Sequence, residues 1–357
     1  MHRESQRHIT DDAGLNTGVW PTPAGQLITP VEQFFTRSHA AVPRIDRDAW
    51  RLRVGGLVAR SLELSYADVI AYPRHEVAAT LLCAGLRREE FLAMGPLPGE
   101  LPWGPEPVST GVWSGARLHD VLRDAGVDRG ARHVEFVGLD DVERHGHHFG
   151  FGGSVDMDKA MTADVLIATH LNGEPLPASH GFPARAMVPG WIGARSVKWL
   201  GSIRVLDEPS TNYFQTRAYR TQRDVNPADP RDVSAGVALA GIPLNSVIVE
   251  PTRGERVAAG AVRVHGWATG NAGCRVAAVE ISSDAGATWQ AARITQSRGA
   301  WTWCLWEATV DLSRGKHILV VRASDESGAT QPPDVRATWN VKGYCNNVWH
   351  RVDVAAV

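Results

Sequence analysis

At 357 residues with 43% hydrophobic content, the chain is long enough for about two domains with cores of their own. Its formal net charge of −2 excludes the broad basic field that nucleic acid or a membrane surface demands, so any cationic site must be local. No run reaches the roughly 18 apolar residues of a membrane span, and the N-terminal M-H-R-E-S-Q-R-H-I-T-D-D lacks an apolar leader core.

The cysteines, Cys83, Cys274, Cys304 and Cys345, include no C-x-x-C pair and suit neither a disulfide framework nor a zinc site. The expected compartment is therefore a reducing cytoplasm, or the periplasm if a leader peptide precedes this sequence.

Residues 1–30 are polar and carry W-P-T-P, which predicts an irregular arm, with regular structure starting after Pro30. R-L-R-V-G-G-L-V predicts a strand. S-Y-A-D-V-I-A-Y-P predicts a short helix, with Ser65 and Asp68 in capping-box spacing and Pro73 as its stop. V-A-A-T-L-L predicts a buried strand that ends at Cys83. S-G-A-R-L-H-D-V-L-R-D-A-G predicts a second helix with Leu118, Val121, Leu122 and Ala125 on one face, Ser114 as N-cap and Gly126 just past its end. Strands follow at R-H-V-E-F-V, V-L-I-A-T-H, A-R-A-M-V and V-K-W-L-G-S-I-R-V, the last two separated by the glycine-rich P-G-W-I-G-A-R-S.

This gives an α+β domain over 31–235 whose end, from about 207, is a polar, Pro-containing surface connector to 241. After Ile242, short alternating segments such as V-R-V-H-G-W-A, V-A-A-V-E-I-S, W-T-W-C-L-W and H-I-L-V-V-R-A recur between turn clusters, which predicts a β-sandwich over 240–357. Within it, Trp301 and Trp303 are expected on one face of a strand and Trp306 on the other, and these Trp-rich strands are expected to supply the main apolar contact of a homodimer. Neither G-x-G-x-x-G nor the P-loop pattern occurs.

Three segments carry candidate chemistry. In T-L-L-C-A-G-L-R-R-E-E a thiol stands beside Arg87 and Arg88, and neighbouring cations favour the thiolate, the form that binds metals and attacks electrophiles. The bland alternatives are a buried inert thiol and a solvated charge pairing with Glu89 and Glu90. In F-F-T-R-S-H-A-A-V-P, Arg37 and His39 alternate along an extended segment and project to one side. H-G-F-P-A-R-A-M-V-P-G-W-I-G-A-R-S-V-K-W gathers His180, Arg185, Arg195, Ser196 and Lys198 around two turns, the donors a phosphate requires, or else a basic surface loop. His145, His147 and His148 match no zinc spacing and suit a solvated loop.

Taken in order, F-F-T-R-S-H, C-A-G-L-R-R, W-S-G-A-R-L, H-G-F-P-A-R, V-P-G-W-I-G-A-R-S-V-K-W-L and W-N-V-K-G-Y-C-N-N-V-W-H-R-V resemble the sulfite oxidase family of molybdenum enzymes, from about Phe34 to Val352. The resemblance implies a molybdopterin-binding domain followed by an immunoglobulin-like dimerisation domain, and hence a homodimer. It implies a molybdenum-molybdopterin cofactor with Cys83 as the metal ligand. Arg37, His39, Asp140, His180, Arg185, Arg195, Ser196 and Lys198 would bind that cofactor. Arg37, Arg88, Trp103, Tyr219 and Lys342 would form the substrate pocket.

The implied reaction is oxidation of sulfite to sulfate by oxygen-atom transfer. Its electrons would pass to a separate acceptor: a cytochrome c-like protein, a small molecule or oxygen. The alternatives are a nitrate-reductase-like or other oxyanion molybdoenzyme, disfavoured by Tyr219 and the charge at 342, or a non-enzymatic oxyanion-binding module. Two departures stand out. Leu86 occupies a place where many members have asparagine. Lys342 stands where animal and plant members carry a substrate-binding arginine, keeping the charge without the two-pronged geometry.

Overall fold

The computed structural model describes residues 6–9, 15–22, 25–97, 99–221 and 236–357. The arm expected to be irregular is partly ordered. β1 (Gln6–Ile9) pairs antiparallel with β2 (Thr17–Trp20), Thr17 exchanges backbone hydrogen bonds with Thr36 (3.1 and 2.8 Å), and Thr29 N donates to Thr110 O (2.7 Å). A polar segment docks this way because main-chain groups, not an apolar face, supply the contacts.

The first domain contains β3 (Arg51–Gly56), β4 (Leu62–Ser65), α1 (Tyr66–Ala71), β5 (Arg74–Leu82), β6 (Val108–Arg117), α2 (Leu118–Ala125) and β7 (His133–Gly138). It continues through β8 (Val142–Arg144), β9 (His147–Phe149), β10 (Gly152–Asp156), α3 (Met157–Ala160), β11 (Leu166–Leu171), β12 (Glu174–Pro175), β13 (Arg185–Met187) and β14 (Leu200–Leu206). One sheet has the order β10-β7-β14-β3-β4, parallel only between β14 and β3. The other, β12-β11-β6-β5 with β13 also on β11, is antiparallel throughout. Leu52, Val54, Phe136 and Ile203 from the first sheet, Ala116 and Ile167 from the second, and Leu118, Val121 and Leu122 of α2 close one core.

The capping box of α1 is present: Asp68 N donates to Ser65 Oγ (3.2 Å) and Ser65 N to Asp68 Oδ2 (2.8 Å). Gly126 ends α2 at φ 72°, as its position predicts. Ser114 does not cap α2. It belongs to β6, whose pairing with β5 runs on to Ala116, and its Oγ accepts from Arg74 Nε (3.1 Å). A long antiparallel ladder overrides the local cap signal.

Next, β15 (Arg220–Thr221) pairs with β16 (Val237–Ala238); the rest of the expected connector between them, 222–235, lies outside the described residues. The second domain is the expected sandwich: β17 (Asn245–Glu250), β18 (Glu255–Val257), β19 (Gly260–Thr269), β20 (Val276–Ser282), β21 (Gln290–Ser297), β22 (Cys304–Leu312), β23 (Gly315–Asp325) and β24 (His350–Ala356). Its order, β17-β19-β22-β21-β20-β23-β24-β18, folds over so that β17 lies against β23 and β24. Alternate residues such as Val262 and Val264, Leu319 and Val321, and Val352 and Val354 fill the space between the faces. No helix among the described residues is long and apolar enough to cross a membrane.

The tryptophans depart from expectation. Trp301 and Trp303 precede β22 and join the domains: Thr80 N donates to Trp301 O (2.8 Å), Trp303 N to Thr80 Oγ1 (2.7 Å) and Trp303 Nε1 to Leu27 O (2.8 Å). Trp267, Trp303 and Trp306 are buried within the chain, so they are not the apolar contacts of a dimer surface.

A second tie runs through Arg87, which is wholly buried. Its guanidinium pairs with Glu90 (2.7 and 2.8 Å) and donates to Asn245 Oδ1 and Val348 O (both 2.9 Å). Beside it, His350 Nδ1 accepts from Ile248 N (3.1 Å), and burial, then the Arg87 charge, push this imidazole from the usual 6.5 down to about 3. The folded chain thus keeps His350 neutral while the unfolded chain protonates it below 6.5. Stability is full above pH 6.5 and falls as pH drops toward 3, by up to about 1.4 kcal/mol per pH unit from this group. Urea unfolding followed by tryptophan fluorescence across that range should show the slope, and His350→Gln should flatten it; parallel slopes for both proteins contradict the assignment.

Candidate active site

β5 carries its buried run to Leu82 and stops, so Cys83 begins a turn: Leu86 N donates to Cys83 O (3.0 Å) and Gly85 N to Cys83 Sγ (3.4 Å). A Cβ on Gly85 would stand 2.8 Å from the Arg88 guanidinium carbon, so the glycine leaves room for that side chain along its present course. Of the two adjacent arginines, Arg87 turns away into the domain contact. The cations that act on Cys83 are Arg37 and Arg88, and burial outweighs them, pushing the thiol up. The expectation that the neighbouring arginines keep the thiol ionised fails for the protein alone, because the desolvation of the buried sulfur is the larger effect. A coordinated metal ion removes that proton outright.

Cys83 opens into a cleft between the first domain's loops. Arg37, His39, Asp140, His180, Arg185, Ser196, Lys198 and Tyr219 line it together with Cys83, so nine of the expected site residues meet there.

Their donors are held by neutral acceptors. Arg185 Nη1 donates to His180 O (3.0 Å) and Nη2 to Ser196 O (2.6 Å), with its guanidinium carbon 4.9 Å from the Trp113 ring centre. Burial lowers its pKa to about 9. Lys198 Nζ donates to Ser38 Oγ (2.7 Å) and Ser179 O (2.9 Å), and burial, then the Arg185 charge, hold it well below the usual lysine value. Arg37 Nη1 donates to Asn16 Oδ1 (3.0 Å), so the docked arm positions this cation. Asp140 brings the one carboxylate of the lining; burial raises it, and it accepts from Phe151 N (2.9 Å).

A hydrogen-bond polarity follows. His39 Nδ1 lies 3.4 Å from both Arg37 Nη2 and Arg144 Nη2, which only donate, and Nε2 lies 3.0 Å from Tyr219 Oη. Burial, then Arg37, Arg144 and Lys198, hold His39 well below 6.5, so the ring is neutral and Nε2–H donates to Tyr219. Tyr219, kept protonated by a pKa raised to about 12 through burial, retains its own O–H for a group in the cleft. A π-helical turn, Phe214–Ala218, delivers it.

Four expected residues do not line the cleft. Arg195 donates to Leu239 O (3.2 and 3.0 Å), fixing the chain beyond Tyr219. Arg88 lies against the Tyr344 ring (4.9 Å), which stacks on Tyr219 (5.5 Å, 20°). Trp103 is fully buried beside the Cys83 turn, where Glu89 N donates to Trp103 O (3.0 Å), and its Nε1 has no partner among the described groups. Lys342 Nζ is spent on Glu100 (3.0 Å). The resemblance assigns these residues to the site by their place in its motifs, which does not say where a long side chain ends.

Conversely, Ser38 and Trp199 line the cleft unforeseen, although both stand inside the motifs that marked it. Arg144 reaches His39 from the histidine-rich hairpin of β8 and β9, while His145, His147 and His148 are exposed and His148 pairs with Asp141 (2.8 Å). Leu86 is buried among apolar side chains, including Tyr344 and Trp267.

The pattern described as the oxidoreductase molybdopterin binding domain matches residues 39–214, and the Mo-co oxidoreductase dimerisation domain matches 237–357. The chain is 39% identical over 339 residues to sulfite oxidase of Gallus gallus, covering 92% of this chain and 73% of that protein. It is 40% identical over 338 residues to mitochondrial sulfite oxidase of Homo sapiens, spanning 61% of that protein's length. Among solved structures, the sulfane dehydrogenase SoxCD from Paracoccus pantotrophus superposes with a TM-score of 0.81 at 26% identity, over 94% of this chain and 83% of that one. With both domain patterns, this level of identity and a cysteine-headed cationic cleft in agreement, the chain belongs to the sulfite oxidase family of molybdopterin-dependent oxidoreductases.

Proposed function

We propose that this oxidoreductase converts sulfite to sulfate, using molybdenum held by the pterin of its family. The observation that carries the reading is the cleft itself, lined by Cys83 together with Arg37, Arg185 and Lys198, whose donors are held by neutral oxygens. Cations drawn partly or wholly out of water and held this way are stabilised by an anion that brings its own charge.

The residues suit the cofactor. Among the described residues no three His, Cys, Asp or Glu side chains gather as a metal cage. One thiolate suits a metal that arrives with soft sulfur ligands of its own. Bound there, the molybdenum centre supplies two-electron oxygen-atom transfer. Cys83 Sγ would hold the metal. Arg185, Lys198, Ser196 and His180 would hold the pterin and its phosphate, and neutral His39 fixes the orientation of Tyr219. The Tyr219 O–H would donate to an oxyanion beside the thiolate, and Arg37 sets a fixed positive charge next to it. The electrons pass on to an acceptor, for which cytochrome c, ferricyanide and oxygen are the candidates to assay.

Cys83→Ser should fold and dimerise as the parent does but lose sulfite-dependent ferricyanide reduction by more than about 100-fold, since a hydroxyl is a poor substitute for a soft thiolate. Full turnover by that variant would remove Cys83 from the chemistry. Lys198→Met should instead be purified with well under half the molybdenum and pterin of the parent, measured by elemental analysis and pterin fluorescence; equal loading would take Lys198 out of the cofactor site. We also propose a homodimer through the second domain, so light scattering should return the mass of two chains.

A further inference from the structure

Next to the cleft, three charged groups form a bridge. Glu100 Oε2 lies 3.1 Å from Arg88 Nη2, and Glu100 Oε1 lies 3.0 Å from Lys342 Nζ. The bridge is shielded: the side chains of Arg88, Glu100 and Lys342 are 4%, 13% and 28% exposed. It is also rigid on the Arg88 side, where Nη1 donates to Leu101 O (2.9 Å), Nε to Gly343 O (3.4 Å), and the guanidinium lies against Tyr344. Tyr344 in turn stacks on Tyr219, which lines the cleft.

A carboxylate is itself a small planar oxyanion. Here it sets one oxygen on each of two cations, which is how a bound oxyanion substrate would be gripped. Its presence changes the charge balance: Arg88 and Lys342 together carry two positive charges, and with Glu100 the trio carries one. In a shielded site that difference acts strongly on any second anion.

Resting on the sulfite reading above, we propose that Glu100 is an internal counter-anion that cancels one of the two positive charges of the Arg88–Lys342 pair beside the cleft, and so sets how tightly this enzyme takes a dianion. Glu100 is then a specificity-determining residue and not a structural tie. Removing its charge frees both cations, whereas removing a merely structural salt bridge loosens the site and weakens every ligand.

The test compares the molybdenum-loaded parent with Glu100→Gln and with Glu100→Gln/Lys342→Met. Sulfite kinetics report KM against kcat, and calorimetric titration with sulfate, which no turnover consumes, reports anion affinity alone. Glu100→Gln should lower both the sulfite KM and the sulfate Kd by about tenfold, with kcat changed less than about twofold and a steeper fall of affinity with ionic strength. The double variant should give back most of that gain. Sulfate should also raise the melting temperature of Glu100→Gln more than that of the parent. Glu100→Ala, which gives up the hydrogen bonds as well, must move sulfate affinity in the same direction.

Unchanged or weaker sulfate binding in the Glu100 variants overturns the proposal. Tighter sulfate binding in enzymes that do not oxidise sulfite upholds the role of Glu100 and overturns the assigned substrate instead.

Discussion

The constraint on which this structure turns is the cost of keeping positive charge out of water. Arg185 and Lys198 are enclosed, and their lowered pKa values are mainly the desolvation cost. The chain meets that cost with neutral oxygens: His180 O and Ser196 O for Arg185, Ser38 Oγ and Ser179 O for Lys198. Arg87 faces the same cost and meets it with Glu90. The choice of partner separates the two roles. At Arg87 the carboxylate cancels the charge and leaves a structural staple, whereas at Arg185 and Lys198 neutral carbonyl and hydroxyl oxygens satisfy the hydrogens and leave the charge available to an incoming anion.

The second domain takes part in that arrangement. Cys345 N donates to Ala84 O (2.7 Å) and Asn346 Nδ2 to Arg87 O (2.9 Å), so the segment before β24 grips both sides of the turn that carries Cys83. The same segment contributes Tyr344, stacked on Tyr219, and Lys342 beside Glu100. A shared apolar cluster, with Leu82, Leu86 and Ile192 from one domain and Val247, Trp267 and Trp303 from the other, makes this contact part of the protein's interior. The site is thus built from the first domain but held in place by the second, which is why domain closure at Arg87 and His350 bears on the geometry around the thiol.

Much of this was legible from residue type and spacing. The strand ending at Cys83, the paired Arg37 and His39, and the group His180, Arg185, Ser196 and Lys198 follow from short-range patterns, because neighbours on one turn or one strand face must emerge together. Ends of long side chains are not short-range properties. Nothing in R-R-E-E tells that Arg87 turns to Asn245 and Val348, far along the chain, while Arg88 turns to Glu100. Arg195 and Arg185 look alike in sequence, yet one reaches Leu239 and the other stands in the cleft. Tryptophan composition misled for the same reason, since a large aromatic satisfies a domain contact as readily as a subunit contact. The arm was missed because backbone pairing leaves no apolar signature.

Hydrogen-bond polarity carries the last step. Cations on the Nδ1 side of His39 leave it neutral, so its Nε2–H donates to Tyr219 and the tyrosine keeps its own hydrogen for the cleft. Burial moves the titrations of His39 and Tyr219 in opposite directions, one well below 6.5 and the other to about 12. Neither group therefore changes charge near neutrality. Burial disfavours the charged form of Lys198, and a bound anion would favour it, restoring what burial takes away. An anionic group bound in the cleft would therefore meet a neutral His39, a protonated Tyr219 and a lysine whose charge it restores.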